Sequence, residues 1–305
     1  MDACLEALTV QANEILDHEL QSFPSLEELD LSGITQGRFS VFEEGGRFDA
    51  YLSRKPDGPS SGRTPNGGTN ANRLFVLLSG AVDRRRRTLP HFNRWSWDED
   101  FPGHLLCVSD PTLRVHDQLR LGWYLGTSEV DWTATLARVV ARVAEQLGVE
   151  PSDITFYGSS GGGFAGMMLA TRLKGAGAIA INPQTNILHY HRRPVRAMLM
   201  RCFPGVTPRT AGLELVTTRF AAICRCARSP RSRVLIAQNR LDEFHYERHY
   251  TPFCNALGLP IEGGPDARGT RAAFPFEGPG GHFGAEPRKI VPQLLEAYEA
   301  LGQSR

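Results

Sequence analysis

Gly158-Ser159-Ser160-Gly161-Gly162 sets a serine at the centre of a G-x-S-x-G frame. An apolar strand-like run, Ile154 to Tyr157, leads into it, and a helix-like run from about Phe164 to Leu173 leaves it. In that strand–turn–helix setting the serine is expected on a sharp turn. Small neighbours let the chain and the helix pass closely, since glycine has no Cβ to clash. The hydroxyl would stand at a helix start, where backbone N–H groups are free and the helix dipole is positive. Both favour a developing oxyanion, so Ser160 reads as the nucleophile of acyl-group chemistry. Ser159 is the competing serine, but residue 157 is Tyr and breaks the frame around it. A glycine-rich turn cradling a phosphate is the other reading. It lacks the Lys-Ser/Thr that ends a P-loop, and the chain has no G-x-G-x-x-G.

A serine hydroxyl needs a base, usually a histidine oriented by a carboxylate. Nine histidines are present. His282, in Gly280-Gly281-His282-Phe283-Gly284, follows the last expected strand and precedes the final helix, so it is the expected base. Asp242 lies a few residues beyond the Val234–Ala237 run and is the expected acid, with adjacent Glu243 as the lesser candidate. Together they give the order Ser…Asp…His. Asp110 also ends a strand-like run but precedes the serine, so a structural or substrate role suits it. The oxyanion hole is expected from the Gly161 N–H and from Gly80 or Ala81, in the loop after an early strand. No HGGG sequence is present there.

Metal chemistry finds little support. His245 and His249 are four apart, but residue 246 is Tyr where a metalloprotease helix would carry Glu. They read as site-wall or surface residues. Cys224 and Cys226 lack a second pair at zinc spacing, and six scattered cysteines are not a disulfide scaffold. No metal or organic cofactor is expected. His189 and His191 read as surface, or as lining an entrance. Trp95, Trp97, Trp123 and Tyr124 read as core, with an aromatic substrate wall as the alternative.

The elements that must carry these residues alternate. Short apolar blocks at 74–78, 105–108, 154–157, 178–181 and 234–237 fit buried parallel strands. Helical spacing appears at 2–20, 130–147 and 286–302, and residues 186–227 look mostly helical. Residues 36–53 read as a β-hairpin turning at Glu44-Gly45-Gly46, and 55–72 as a Pro/Gly/Ser-rich surface loop. The expected fold is α/β, a mostly parallel central sheet with helices on both faces. Residues 1–72 form an expected N-terminal extension. Residues 73–305 form the expected catalytic domain, with a helical cap at 186–227. No internal repeat is seen.

Composition excludes other classes. The 305 residues are 41% hydrophobic and 22% charged, as in ordinary globular domains. Lys and Arg number 34 against 33 Asp and Glu, which gives no support for nucleic-acid binding. The run Arg84–Arg87 reads as a solvated loop. It and a diffuse basic region at Arg192–Arg201 have attraction of an anionic substrate or partner as the alternative. No run approaches the roughly 18 apolar residues of a membrane span, and the acidic first twenty residues do not read as a secretory signal, so a cytoplasmic location is expected.

With Ser160, Asp242 and His282 in this order, residues 73–302 resemble the α/β-hydrolase superfamily. Ser109-Asp110-Pro111-Thr112, Leu121-Gly122-Trp123-Tyr124-Leu125-Gly126 and Asn182-Pro183-Gln184-Thr185 resemble segments of bacterial serine hydrolase-like proteins from surface-polysaccharide and glycoprotein export loci. That group is similar to O-acetyltransferases. The resemblance implies an esterase-like enzyme working through an acyl-enzyme, with an acylated or acylatable sugar as a small-molecule substrate. Acyl transfer to a hydroxyl or amine by the same triad is the alternative. A non-catalytic binding protein on a hydrolase fold is the third reading.

Overall fold

The computed structural model describes residues 20–55, 72–282 and 287–302. The expected N-terminal helix and nearly all of the 55–72 loop lie outside the described residues. The strands are β1 (Leu20–Phe23), β2 (Gln36–Glu43), β3 (Gly46–Ser53), β4 (Leu74–Leu78), β5 (His104–Val108), β6 (Ile154–Ser159), β7 (Gly177–Ile181), β8 (Arg233–Asn239), β9 (Gly264–Pro265) and β10 (Arg271–Phe276). They form one sheet in the order β1-β2-β3-β5-β4-β6-β7-β8-β10-β9. The stretch from β5 to β10 pairs in parallel throughout. The hairpin β2–β3 is antiparallel, and β3 joins it to β5 with Ala50 opposite Val108.

Parallel strands need crossovers, and these supply the helices. They are α1 (Trp132–Gln146), α2 (Gly161–Ala170), α3 (Arg192–Cys202), α4 (Ala222–Arg228), α5 (Thr251–Leu257) and α6 (Val291–Glu299). Helix α1 begins where expected, because the Asp131 carboxylate accepts from the Thr133 and Ala134 N–H groups and satisfies donors the helix cannot. Helix α2 starts directly after Ser160 rather than at Phe164, and all ten of its residues are buried.

Side chains alternate across the sheet and feed two cores. Leu74, Val76 and Leu78 of β4 pack into one, with α1 and α2. Phe75 and Leu77 enter the other, with Leu294 and Tyr298 of α6. Burial on both faces explains why these strands read as continuous apolar blocks. Register then sets the site. Leu78 is opposite Gly158, Gly158 opposite Ala180, and Ala180 opposite Ile236. The chain leaves four neighbouring strands at nearly one level, so the loops after β4, β6, β7 and β8 emerge together.

Candidate active site

Ser160 sits between β6 and α2 with φ 55° and ψ −119°, a region L-residues seldom occupy. Its N–H donates to Ile181 O at 2.9 Å, which ties the turn to the next strand. The glycines around it are required by space. A methyl on Gly158 would stand 2.6 Å from the Gly162 carbonyl carbon. The predicted oxyanion residues are close by: a methyl on Gly80 would be 3.4 Å from Ser160 Cβ and 3.8 Å from Gly161 N. Ala81 lines an adjoining surface groove.

Asp242 and His282 meet as the sequence predicts. His282 Nδ1 is 2.8 Å from Asp242 Oδ2, across forty residues of chain. Glu243 points to solvent. The histidine loop is held by Asn239 at the end of β8. Its side-chain NH2 donates to Gly278 O at 2.9 Å and Gly281 O at 3.2 Å, and its Oδ1 accepts from the Gly278 N–H at 3.2 Å. Gly280 and Gly281 both have positive φ, which glycine adopts freely.

A second histidine shares the carboxylate. His245 Nδ1 lies 3.1 Å from Asp242 Oδ1, and its ring stacks on His282 with centroids 4.1 Å apart and planes at 5°. Sequence spacing marks His245 only as a site-wall or surface residue; at 1% exposed it is not on the surface but inside the site. Burial by itself would raise the Asp242 carboxyl, but the hydrogen bonds from His245 and His282, with their charges, outweigh it and hold the group well below the usual carboxylate range. Burial lowers the His245 ring, more than the Asp242 contact raises it.

Gln184 joins the serine to this cluster. Its Nε2 donates to Ser160 Oγ at 3.0 Å and lies 2.8 Å from His245 Nε2. Trp123 Nε1, which can only donate, reaches Gln184 Oε1 at 2.9 Å. That contact fixes the amide: the oxygen faces the indole and the NH2 faces Ser160 and His245. His245 Nε2 must then accept, so its proton is on Nδ1, facing Asp242. The structure brings Asp242 and His282 together directly and links Ser160 to them through Gln184 and His245. Gln184 is fully buried. It follows β7 in an unremarkable Pro-Gln-Thr, and no spacing rule marks it.

Asp110 supports Trp123. Its carboxylate accepts from the N–H groups of Thr112 (2.9 Å), Gly122 (3.1 Å) and Tyr124 (3.2 Å). It thereby holds Trp123 and Tyr124 at φ 54° and 61°. Tyr124 in turn accepts from the Ser79 N–H at 2.7 Å, anchoring the loop that carries Gly80. The three segments singled out in the sequence, around Asp110, Trp123 and Gln184, thus converge behind Ser160. Burial pushes the Asp110 carboxyl up to about 6, against the pull of these N–H donors.

The mostly parallel sheet with its crossover helices has counterparts among solved structures. The chain is similar to a capsule O-acetyltransferase of Neisseria meningitidis serogroup A, at 14% identity over 85% of this chain and 92% of that one, TM-score 0.57. It is similar to an S-formylglutathione hydrolase from Agrobacterium tumefaciens, at 16% identity over 88% and 95%, TM-score 0.54. An acylaminoacyl peptidase from Pyrococcus horikoshii aligns at 11% identity over 88% of this chain and 42% of its own, TM-score 0.54. This is the α/β-hydrolase fold. No protein-family model matches the chain, and no curated protein does.

Within this α/β-hydrolase fold the remaining candidates fall outside the reacting group. Trp95 packs edge-on to Tyr51 against the second core, with centroids 6.0 Å apart. His249 is buried with Nδ1 accepting from the Thr185 N–H at 3.3 Å, and burial pushes its ring down to about 3. His189 and His191 are exposed. Donor atoms of Asp242, His245 and His282 lie within 4.8 Å of one another. They do not fit a cation as arranged: each Nδ1 is at N–H···O distance from the carboxylate, and a protonated ring nitrogen has no lone pair for a metal. No helix among the described residues is long and apolar enough to cross a membrane.

Proposed function

We propose that the protein is a serine esterase-like hydrolase that works through an acyl-enzyme on Ser160. The observation that carries this reading is the strained Ser160 turn set beside an Asp242–His282 pair whose Nδ1–carboxylate distance is 2.8 Å. Asp242 orients His282 with Nδ1 protonated and leaves Nε2 as the base. His282, with a side chain 23% exposed, is the ring that faces a substrate; His245 has its Nε2 engaged by Gln184. On substrate entry the Ser160 hydroxyl exchanges its Gln184 contact for His282 Nε2 and attacks the carbonyl carbon. The proton passes to His282 and then to the leaving group, and water reverses the sequence to release the acid. The Gly161 N–H with that of Gly80 or Ala81 holds the oxyanion. Residues 73–305 serve as the catalytic unit, and 186–227 as a cap. The substrate is a small acyl ester, an acylated sugar among the candidates, and no cofactor takes part.

Acyl transfer is the second reading, favoured by the fold's likeness to a capsule O-acetyltransferase over 85% of this chain. A hydroxyl acceptor in place of water needs no change in the triad. The test is intact-mass spectrometry after reaction with a fluorophosphonate, on wild type and Ser160→Ala. A single adduct on the wild type, absent from the variant, supports the activated serine. No adduct on folded wild type sinks both catalytic readings and leaves a binding protein on a hydrolase fold. Product analysis with added alcohol acceptor separates hydrolysis from transfer.

A further inference from the structure

From Ile154 to Leu213 the chain contains no Asp or Glu, while it carries Arg172, Lys174, Arg192, Arg193, Arg196, Arg201 and Arg209. Arg172 pairs with Asp131, and Arg201 contacts Gln118. The guanidinium groups of Arg192, Arg193, Arg196 and Arg209 have no ion pair or hydrogen bond among the described residues, and all four side chains are exposed. Three of them crowd the first turns of α3. Arg192 and Arg196 stand four residues apart, where like charges destabilise a helix. Nothing in the described fold offsets that repulsion, and it is concentrated on one element of a chain whose formal net charge is only +1.

These arginines rim two grooves on either side of α3. One, of about 900 Å³, has Arg192, Arg196 and Arg209 over an apolar floor that includes Val195 and Leu199. The other, of about 330 Å³, holds Arg193 and Arg120 and reaches Ala81 and Leu121. Ala81 is a candidate oxyanion residue, and a methyl on Gly161 would meet the Leu121 side chain, so this second groove lies beside the serine turn. Tyr190 lines both grooves and makes them neighbours.

We infer that α3 is an anion-binding subsite, and that the substrate of Ser160 carries two or more phosphate groups remote from its acyl carbonyl. A guanidinium matches phosphate oxygens with two parallel N–H donors, and phosphate supplies the charge the fold withholds from these arginines. The phosphates lie over Arg192, Arg196 and Arg209, while Arg193 guides the chain past Tyr190 to Ala81. The inference rests on the acyl-enzyme reading of Ser160 but is tested apart from it.

The test is calorimetric titration of the full-length protein with sodium tripolyphosphate, at low and at physiological ionic strength. Wild type should bind saturably and more weakly in salt. Arg192→Gln/Arg196→Gln and Arg209→Gln should each bind at least about tenfold more weakly. Arg85→Gln/Arg86→Gln, which alters an exposed run beside Asp83, should bind as wild type does. Removing like charges does not threaten the fold, and circular dichroism of each variant checks that. A wild type that does not bind, arginine variants of the groove that bind as tightly, or a control that loses as much would overturn the subsite. In a second arm, 6-acetoxyhexyl triphosphate, whose phosphates stand well away from its ester carbonyl, should be turned over with kcat/KM at least about tenfold above 6-acetoxyhexan-1-ol. Equal values would overturn the substrate class. Fluorophosphonate labelling of the wild type is scored separately. A labelled serine without tripolyphosphate binding removes the subsite and leaves the hydrolase; binding without labelling does the reverse.

Discussion

The imidazoles of His245 and His282 lie face to face, 4.1 Å between centroids and 5° between planes, with the single carboxylate of Asp242 serving both. One carboxylate balances one positive charge, and two imidazoliums at that spacing repel. Gln184 settles which ring stays neutral, because its NH2 occupies His245 Nε2. In the proposed mechanism the proton leaving Ser160 therefore goes to His282, the ring whose Nε2 Gln184 does not occupy.

Asp242→Asn leaves one amide oxygen for two rings and turns an NH2 donor toward the other. We expect kcat/KM on 4-nitrophenyl acetate to fall by about 10⁴-fold, with a similar loss for His282→Ala. The double variant should be little worse than either single one, since the residues act as a unit. A double variant that multiplies the two losses would show that they act separately.

Gln184→Ala leaves the Trp123 N–H and His245 Nε2 buried without their partner. Each such orphan costs on the order of 1–3 kcal/mol, so chemical denaturation should show a loss of roughly 2–5 kcal/mol. Gln184→Glu keeps the shape but has no N–H for Ser160 or His245. It should retain more stability than the alanine variant and yet label with fluorophosphonate more slowly than wild type. Labelling at the wild-type rate would contradict the bridging role.

Two glycines separate folding from chemistry. In Gly158→Ala the new methyl would sit 2.6 Å from the Gly162 carbonyl carbon, in backbone that has no freedom to yield. We expect a loss of about 3 kcal/mol or more, visible as a fall in melting temperature. In Gly80→Ala the nearest atom is Ser159 O at 3.2 Å, and the loop can give by a few tenths of an ångström. That variant should fold with near-native stability, while kcat drops about tenfold or more because an oxyanion donor has moved.

Asp110 makes stability depend on pH in an unusual direction for a carboxyl. Its folded value is pushed up to about 6 from an ordinary 3.8, chiefly by burial. The folded chain therefore binds this proton more tightly than the unfolded one. The stability it contributes is full below about 4 and fades as the pH rises through about 6. Asp110→Asn has no such proton. The stability of wild type relative to this variant should increase by about 2–3 kcal/mol as the pH is lowered from 7 to 4, read from urea midpoints at each pH. A constant difference would mean that the three N–H donors keep Asp110 ionised throughout.

The sheet centre was legible in the sequence because β4 to β8 are buried on both faces and read as apolar blocks. The Ser160 turn and the meeting of Asp242 with His282 were legible because chain order and strand ends constrain them. The edge strands were not. β10 contains Pro275, which demotes a strand pattern, and it tolerates the proline because β9 pairs only with Ala272 and Ala273. β1, at Leu20–Phe23, fell at the end of an apparent helical stripe. Gln184 was illegible for another reason. Its role comes from three partners far apart in sequence, Trp123, Ser160 and His245, and no local pattern encodes such a meeting.

The sheet ends on β9, a strand of two residues, Gly264 and Pro265. Proline has no N–H to offer, and two residues give little length for an incoming strand to follow. Past Ala273, β10 turns its own proline toward the same margin. A ten-stranded sheet of apolar blocks is a template for uncontrolled growth wherever its border is long and open. On this flank the border is too short, and too poor in donors, to recruit another chain.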